Sequence, residues 1–454
     1  MIKVMKFGGT SVGSGEAIRR TADIIMRDPA PKAVVVSAMS GVTNALIALS
    51  EEPEGKARET LGLLRERHLA VARGQMSVEL QREYEPLLES RMAGLRDVLI
   101  SYHVSKDDHE RDVAYDTLSS WGERLSSLTV AYVLRSLGCN AVAMTGEEAG
   151  IVASGTPGNG SADLFATGAN LRSCVLPLIE KGQVPIITGF YGIGPDGRPL
   201  TFGRGGSDYV GSVVANGLDA DVVEIWTDVD GFMTADPRVV AKAKTLTEMD
   251  YNEAAELAYF GAKVLHPRTI EPARKKDLEV WVKNSFNPDG KGTRIFKIRK
   301  AGETMLRSVA MKKDLSVIKV YSGEIVYQPG LINKILDAVC SGGVTTYAVS
   351  TSLSTMAVLV PTDQVHDICE RVKALKDDVE KVHVKEGVSL ICAVGDGMLQ
   401  TCGVSAKIFS AVSETGANVE MISEGASDVA LNFVVGNDKA VEVVRKLHEM
   451  YIGD

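Results

Sequence analysis

Short, continuously apolar runs alternate with amphipathic segments along the first 298 residues. Runs of this length predict β-strands, and their lack of polar alternation is typical of a parallel sheet covered on both faces. The segments between them place apolar residues three and four positions apart, which predicts helices. The predicted strands cover residues 2–5, 33–37, 141–144, 184–188, 222–226 and 279–283. This order predicts an α/β domain with a mainly parallel central sheet, over residues 1–298.

Residues 51–112 interrupt the alternation with long charged segments. Leucines recur there at three- and four-residue spacing: Leu61, Leu64, Leu69, Leu87, Leu88 and Leu95. This spacing predicts a helical subdomain within the larger domain. Residues 117–126 predict one further helix, which brings Glu123 into a neighbourhood of small, uncharged residues.

Beyond residue 304 one pattern of elements occurs twice. Each copy reads strand, helix, strand, strand, helix, strand over about seventy residues, which is the ferredoxin-like arrangement. We assign the copies to residues 312–386 and 387–454. The second copy lacks its last strand, whereas residues 305–311 form a spare strand ahead of the first copy. We therefore predict that this strand completes the second sheet and that the two units are interleaved.

The composition limits the classes of function. The 454 residues include 50 basic and 59 acidic ones, and the net charge of −9 argues against a general nucleic-acid-binding surface. No segment has the roughly 18 uninterrupted apolar residues of a membrane-spanning helix, and the amino terminus lacks the apolar region of a signal peptide. We therefore expect a soluble, cytoplasmic protein with no nucleic-acid or membrane partner.

Cysteine and histidine are too scattered to predict a disulfide framework or a transition-metal site. The six cysteines include no CxxC pair, and none of the seven histidines has another histidine four residues away. A structural zinc or similar centre is therefore not expected.

Residues 3–13 (KVMKFGGTSVG) combine a strand, an in-line lysine and a glycine turn that leads into a helix. Gly8 and Gly9 let the backbone turn without a side chain in the path of an approaching group. Exposed amides at such a turn, with Lys6 beside them, form a site for an anion such as phosphate. The spacing matches neither the P-loop nor the dinucleotide-binding fingerprint, so the lysine would come from the strand.

Two later segments have the composition of binding loops. Residues 201–208 (TFGRGGSD) place glycines on both sides of Arg204, which exposes its guanidinium group to a carboxylate or a phosphate. Residues 227–238 follow the carboxyl end of a strand, where open α/β sheets bind ligands. Lys263, in the segment GAKVLHP, is a second lysine that we place near phosphates.

Six motifs occur in the order KFGGTSV, SAMSGVTN, GERLS, GRGGSD, TDVDGFMTADPR and GAKVLHP. In this combination the chain closely resembles the aspartokinases of the amino-acid kinase family, over nearly its whole length. The resemblance implies an amino-acid kinase-like sandwich followed by two ferredoxin-like ACT regulatory domains. It also implies ATP-dependent phosphorylation of the L-aspartate side chain to 4-phospho-L-aspartate, the first step toward lysine, threonine and methionine.

The resemblance further implies roles for the residues at matching positions. Lys6 and Lys263 would meet the ATP phosphates, and Asp208 would hold these catalytic lysines in place. Arg204 would grip the α-carboxylate of aspartate, and Glu123 would face its ammonium group. The aspartate-binding residues would be Thr43, Glu123, Arg204, Gly205 and Ser207. The ATP-binding residues would be Lys6, Gly8, Gly9, Thr10, Ser11, Thr227, Asp228, Met233, Arg238, Lys263 and Val264. Mg²⁺ would be carried mainly by phosphates and waters rather than by protein ligands.

Two departures from the family pattern leave details open. Met233 stands where relatives usually carry tyrosine, so the resemblance does not define the nucleoside contact there. The repeats read TSLS at 351–354 and EGAS at 424–427 where lysine-responsive relatives often carry a TSE-like sequence, so the effector could be lysine, threonine or neither. The loops at 328–331 and 403–404 are candidate effector loops or ordinary turns. Effector binding at a shared interface would predict a homodimer or a larger assembly.

Two alternative functions remain open at this point. One is another amino-acid kinase family enzyme with a glutamate-type substrate, which the GERLS and GRGGSD segments disfavour. The other is a non-catalytic subunit that only senses an amino acid, which the presence of both Lys6 and Lys263 disfavours.

Overall fold

A computed structural model describes most of the chain in two compact units. It covers residues 1–50, 54–261, 264–298, 306–376, 378–395, 397–398 and 401–453. The first unit contains the described residues within Met1–Phe232, Thr245–Ala255 and Lys263–Arg299. The second contains those within Met233–Lys244, Glu256–Ala262 and Lys300–Asp454. Among the described residues, no helix is long and apolar enough to cross a membrane.

The first unit is built on an eight-stranded sheet. The strands of the unit, inside and outside this sheet, are β1 (Lys3–Phe7), β2 (Lys32–Val36), β3 (Ala141–Met144), β4 (Ala153–Thr156), β5 (Asn159–Ala162), β6 (Val184–Thr188), β7 (Tyr191–Ile193), β8 (Pro199–Thr201), β9 (Val222–Thr227), β10 (Glu248–Asp250), β11 (Glu279–Asn284) and β12 (Thr293–Phe296). The sheet order is β10-β12-β11-β9-β1-β2-β6-β3, and β11 with β12 is its one antiparallel pair among the described strands. The predicted mainly parallel sheet is therefore present. The hairpins β4–β5 and β7–β8 lie outside it and were not predicted.

Helices cover both faces of this sheet. Up to residue 274 they are α1 (Gly15–Arg27), α2 (Val42–Leu49), α3 (Glu54–Gln75), α4 (Val78–Val104), α5 (Asp108–Ser119), α6 (Trp121–Ser136), α7 (Gly146–Ala149), α8 (Leu164–Cys174), α9 (Leu176–Glu180), α10 (Gly206–Gly217), α11 (Tyr251–Phe260) and α12 (Ile270–Arg274), with a 3₁₀ turn at Pro267–Thr269. Met5 and Phe7 of β1 point into a core formed with α1 and α6. Because strand side chains alternate, Lys6 points to the opposite face, where α10 lies.

The predicted helical subdomain consists of α3, α4 and α5. The six leucines named in the sequence analysis are buried as expected except for Leu87, which is 44% exposed. Leu88 is fully buried on the same helix, and consecutive helical side chains cannot both face the core. Treating Leu87 as part of the apolar face was therefore wrong.

The single helix predicted over residues 117–126 is wrong, because the structure divides this segment between α5 and α6. At the junction the Ser120 hydroxyl donates to the Thr117 carbonyl (2.7 Å). Such side-chain bonds to the backbone compete with the helical pattern and favour a break. Glu123 lies just beyond the break, in the first turn of α6.

In its described residues, the second unit contains a six-stranded antiparallel sheet, four complete helices and the end of α11. Its elements are β13 (Ser308–Tyr321), α13 (Pro329–Cys340), β14 (Ala348–Thr351), β15 (Thr355–Pro361), α14 (Val365–Lys373), β16 (Lys381–Val394), α15 (Val404–Glu414), β17 (Val419–Ser423), β18 (Ala430–Gly436) and α16 (Asn437–Tyr451), with a 3₁₀ turn at Thr362–Gln364. The strand order is β14-β15-β13-β16-β18-β17.

Two long strands, β13 and β16, each extend across both ferredoxin-like copies. The sequence suggests a spare strand before residue 312 and a separate strand after it, but β13 is continuous, with an irregularity near Asp314 (φ +61°). The first half of β13 pairs with the end of β16, and its second half also pairs with β15. The two ferredoxin-like copies therefore share one sheet. The domain limits 312–386 and 387–454 stay predictions.

Candidate active site

The turn after β1 presents backbone N–H groups at the carboxyl edge of the parallel sheet. The Gly8 N–H is not available to a ligand, because it donates to the Trp226 carbonyl of β9 (3.0 Å). No described residue accepts from the N–H groups of Gly9 or Thr10. A Cβ on residue 8 would lie 3.7 Å from Lys6 Nζ, so glycine there leaves room beside the lysine. The turn therefore fits an anion through Gly9, Thr10 and Lys6.

Ser11 does not line the open side of this turn. It is fully buried, and its hydroxyl pairs with the Ser285 hydroxyl (2.7 Å). Its carbonyl accepts from the Thr21 hydroxyl of α1 (2.7 Å). Ser11 thus fastens the end of the turn to the body of the unit. Its predicted role in ATP binding stays a prediction.

Lys6 and Asp208 form an ion pair between β1 and the first turn of α10. Lys6 is only 5% exposed, so its side chain is held in one direction by the surrounding strand and helix. A largely buried pair is screened little by solvent, and removing one partner leaves the other charge uncompensated. The structure therefore brings together two of the three residues predicted as catalytic.

The loop between β8 and α10 holds Arg204 between two glycines in left-handed backbone conformations, Gly203 (φ +69°) and Gly205 (φ +74°). These φ values favour glycine. A Cβ on residue 205 would also collide with the His266 side chain. Arg204 itself is exposed, and no carboxylate in the described part of the chain pairs with it. Its guanidinium group can therefore receive a carboxylate from a ligand.

Glu123 is a buried carboxyl, 3% exposed, with one oxygen unpaired. Its Oε1 accepts from the Ser207 hydroxyl (3.1 Å), whereas its Oε2 has no hydrogen-bond donor among the described residues. Burial raises the pKa of Glu123 from 4.5 to about 7, although the hydrogen bond from Ser207 and the charge of Lys6 act in the opposite direction. An unpaired, desolvated carboxyl is suited to a cationic group of a ligand.

A cavity of about 380 Å³ joins these groups in the first unit. Among the predicted site residues it is lined by Lys6, Gly9, Thr43, Glu123, Arg204, Gly205, Ser207 and Asp208. Its remaining lining residues were not predicted: Ser37, Ala38, Met39, Ser40, Gly41, Asn44, Phe190, Gly203 and Gly206. The loop 38–44 was visible in the sequence as a small-residue loop opening a helix. Phe190 carried no signal, and it has a left-handed backbone (φ +76°) that is uncommon outside glycine.

Two of the residues predicted to bind nucleotide lie beside the glycine turn. Thr227 is the last residue of β9 and Asp228 follows it. Because β9 pairs in parallel with β1, both strands end at the same edge of the sheet. The Thr227 hydroxyl donates to the Asp228 carboxylate (3.2 Å).

Four further residues are predicted to bind nucleotide, namely Met233, Arg238, Lys263 and Val264. Lys263 lies outside the described residues, and Val264 after it is partly buried. Met233 and Arg238 belong to the second unit, where Arg238 pairs with Asp236 of its own loop (2.7 Å). The nucleotide roles of these four residues stay predictions.

Comparison with known families and sequences agrees with this arrangement. The sequence matches the amino acid kinase family over residues 1–284 and an ACT domain over residues 391–451. It is 32% identical to the lysine-sensitive aspartokinase 3 of Escherichia coli, over 98% of each chain. It is also 31% identical to aspartokinase 3 of Bacillus subtilis, over 99% of this chain and 98% of that one.

Solved structures show the same similarity. The E. coli aspartokinase III complex with aspartate and ADP matches with a TM-score of 0.85 at 31% identity, over 99% of both chains. The complex of the E. coli enzyme with lysine and aspartate matches with a TM-score of 0.82 at 30% identity, again over 99% of both chains. These matches confirm the predicted architecture of a kinase-like sandwich followed by ferredoxin-like ACT domains.

Proposed function

The chain belongs to the amino acid kinase family, as an aspartokinase, and from that premise we propose how it transfers the γ-phosphoryl group of ATP to the side-chain carboxylate of L-aspartate. The products are ADP and 4-phospho-L-aspartate. The observation that carries the proposal is a single cavity lined by the Lys6–Asp208 ion pair, by Arg204 and by Glu123. A buried lysine suits a phosphoryl group, and the other two side chains suit the carboxylate and ammonium groups of an amino acid.

In phosphoryl transfer to a carboxylate, the protein itself has little covalent chemistry to perform. The aspartate side chain has an ordinary pKa near ~4, so at neutral pH it is already ionised and needs no general base. Catalysis then depends on in-line positioning and on neutralising charge on the transferred group. Lys6 supplies that positive charge, and its pairing with Asp208 fixes the direction of Nζ. The Gly9 and Thr10 amides add hydrogen-bond donors on the same side.

Three side chains orient the amino acid. Arg204 binds the α-carboxylate through two parallel hydrogen bonds, for which its planar guanidinium is suited. Glu123 accepts from the α-ammonium group through Oε2, the oxygen without a protein donor. Thr43, in the first turn of α2, lies along the same cavity and donates its hydroxyl to the substrate. Aspartate held at its α-carbon in this way directs its side-chain carboxylate toward Lys6.

The carboxyl edge between β1 and β9 suits the phosphates of ATP. The free Gly9 and Thr10 amides are the donors expected there, and Thr227 and Asp228 lie next to them. Among the described residues, no group of three or more His, Cys, Asp or Glu side chains could hold a metal ion. We propose that Mg²⁺ is carried mainly by the phosphates and water, where it would neutralise phosphate charge when bound.

Release of ADP tests this proposal directly. Purified protein is supplied with ATP and Mg²⁺ and, in parallel, with L-aspartate, L-glutamate or N-acetyl-L-glutamate. We expect turnover with aspartate and little with the other two, because Arg204 and Glu123 set the distance from the α-carbon to Lys6. Trapping the acyl phosphate with hydroxylamine confirms that a carboxylate was phosphorylated. Turnover with glutamate alone, or with no amino acid, would overturn the assignment.

The same assay tests regulation by an end-product amino acid. The E. coli relative is named lysine-sensitive, and one matched structure contains lysine. We propose lysine as the effector, binding at the loops that lead into α13 and α15. Added lysine is expected to lower the rate, whereas threonine at equal concentration is not. Sedimentation with and without lysine then tests the predicted homodimer or larger assembly, since interfaces couple such sites readily.

We predict that the apparent KM for aspartate falls as pH rises between about pH 6 and about pH 8. Glu123, with its pKa near 7, is protonated at the lower pH and must lose that proton to pair with the substrate ammonium group. The limiting dependence for one proton is about tenfold per pH unit below the pKa. In Glu123→Gln the dependence should disappear while KM stays high. A wild-type KM that is independent of pH would contradict the assigned role.

The stability of the fold should fall as pH rises, again because of Glu123. The pKa of Glu123 is raised on folding, so the folded protein retains this proton at a pH where the unfolded chain has lost it. Its carboxyl therefore destabilises the fold progressively as pH rises from about 4.5 to about 7, and by a constant amount above that. Thermal unfolding of the ligand-free protein should show Glu123→Gln gaining stability relative to wild type over this range.

A further inference from the structure

Asp116 is a buried carboxylate that lies in the last turn of α5 and does not line the cavity. It is 1% exposed, and both of its oxygens are hydrogen-bonded. Oδ2 accepts from the Thr201 N–H (2.7 Å) and the Gly158 N–H (2.9 Å). Oδ1 accepts from the Thr201 hydroxyl (2.8 Å) and also approaches the Gly158 N–H (3.0 Å). Hydrogen bonds to an ionised acceptor are about twice as strong as neutral ones.

These bonds join two segments that are far apart in the sequence. Gly158 is in the turn of the β4–β5 hairpin, and Thr201 is the last residue of β8. The backbones of the two segments also touch, because a Cβ on Gly203 would lie only 2.8 Å from the Gly158 carbonyl oxygen. A Cβ on Gly160 would likewise lie 2.9 Å from the Thr201 carbonyl oxygen. The hairpin therefore packs directly against the backbone that leads to Arg204.

Arg268 secures the same contact from another element. Its guanidinium donates to the Phe202 carbonyl (3.2 Å), to the Gly160 carbonyl and to the Ser161 hydroxyl (2.6 Å). It also lies over the Tyr209 ring, 4.8 Å from its centre. One carboxylate and one guanidinium thus hold the hairpin and the end of β8 together.

We infer that Asp116 is a positioning residue for aspartate recognition, which acts by holding residues 201–203 so that Arg204 is aimed into the cavity. The inference rests on the proposed function, because that proposal assigns the substrate α-carboxylate to Arg204. Arg204 has no protein carboxylate of its own among the described residues, and its neighbours Gly203 and Gly205 have no side chains to stiffen the loop. Its direction is therefore set by the segments on either side, α10 on one and the Asp116 anchor on the other.

Asp116→Asn tests the inference by offering an amide NH₂ to donors that need an acceptor. We expect KM for aspartate to rise about tenfold or more, from loss of charge-assisted hydrogen bonds, while KM for ATP changes less than about twofold. The matched control is Asp107→Asn, at the exposed cap of the same helix, where the side chain accepts from the Glu110 N–H. That control should keep wild-type kinetics, because asparagine caps a helix nearly as well.

A double-mutant cycle separates positioning from a general loss of structure. If Asp116 acts through Arg204, then Asp116→Asn should change KM by less than about twofold in an Arg204→Ala background, because the group it positions is gone. Additive effects in the two backgrounds would overturn the inference. Thr201→Val removes one donor to Asp116 and keeps the backbone, and a smaller rise in KM for aspartate is expected. If Asp116→Asn does not fold, Thr201→Val tests the inference in its place. An unchanged KM for aspartate in Thr201→Val would then reject the inference.

Amide hydrogen exchange provides a readout that needs no turnover. In Asp116→Asn, peptides containing residues 158–160 and 201–206 should exchange faster than in wild type, whereas Asp107→Asn should leave them unchanged. Unchanged exchange in Asp116→Asn would overturn the inference even if the enzyme is active. Exchange could also be faster in Asp116→Asn while the wild-type protein does not turn over aspartate. That result would support the anchoring role of Asp116 and reject the proposed function.

Discussion

Replacing Lys6 with methionine is expected to lower kcat by about 10²- to 10³-fold, the usual cost of losing one preorganised charge at a reacting group. KM for aspartate should change little, since the proposed mechanism assigns the α-carboxylate and the ammonium group of the amino acid to Arg204 and Glu123. Methionine keeps the unbranched shape of the buried side chain, one atom shorter, and removes the charged ammonium group. Steady-state kinetics with both substrates varied measures the two effects separately.

The control for this variant is Lys3→Met, on the same strand. Lys3 pairs with Asp28 (2.5 Å) and Glu224 (3.6 Å) and does not line the cavity, so its loss should leave kcat unchanged.

Lys6→Met leaves the Asp208 carboxylate without its counter-charge and should lower the melting temperature. Adding Asp208→Asn should recover stability without recovering kcat. A kcat within about threefold of wild type in Lys6→Met would reject the catalytic assignment.

The second large effect is expected at Arg204, where replacement by alanine should raise KM for aspartate about 10²-fold. This follows from roughly 3 kcal/mol for a charge-assisted contact, at 1.4 kcal/mol per factor of ten. Because Arg204 is exposed and makes no ion pair within the described part of the chain, the fold should lose little stability. A KM for aspartate close to that of wild type would contradict the assignment.

A truncated substrate shows which group Arg204 binds. β-Alanine is aspartate without its α-carboxylate, so the wild-type protein should bind it weakly, and Arg204→Ala should bind it no more weakly than wild type does. The inhibition constant of β-alanine against aspartate measures this. Arg172→Ala removes an exposed arginine that pairs with Asp219 (3.4 Å), and it should change neither constant. Equal losses for aspartate and β-alanine in Arg204→Ala would show that the arginine binds another group.

Sequence patterns predicted the features of the fold that depend only on residues that are neighbours along the chain. The apolar runs identified the central strands, and the glycines around Arg204 correctly indicated a loop that only glycine can form. The glycine turn beside Lys6, where we expect an anion, also follows from sequence, since a strand, a glycine turn and a helix stand next to each other there. Long-range pairing lay beyond such patterns. The sequence predicted a spare strand before residue 312 and a separate strand after it, yet β13 is continuous because partner strands from both copies pair with it.

The candidate site likewise combines features that the sequence predicted with features that depend on long-range packing. The sequence by itself determined the residues to which we assign the chemistry, namely a lysine at a glycine turn, an arginine between glycines and a glutamate in a helix among small residues. Only the tertiary structure decided that the Gly8 amide is used by Trp226 and that Ser11 is buried. It also decided that Asp116 anchors Thr201, 85 residues away along the chain. The physical reason is that hydrogen-bond partners and burial depend on which distant segments pack together.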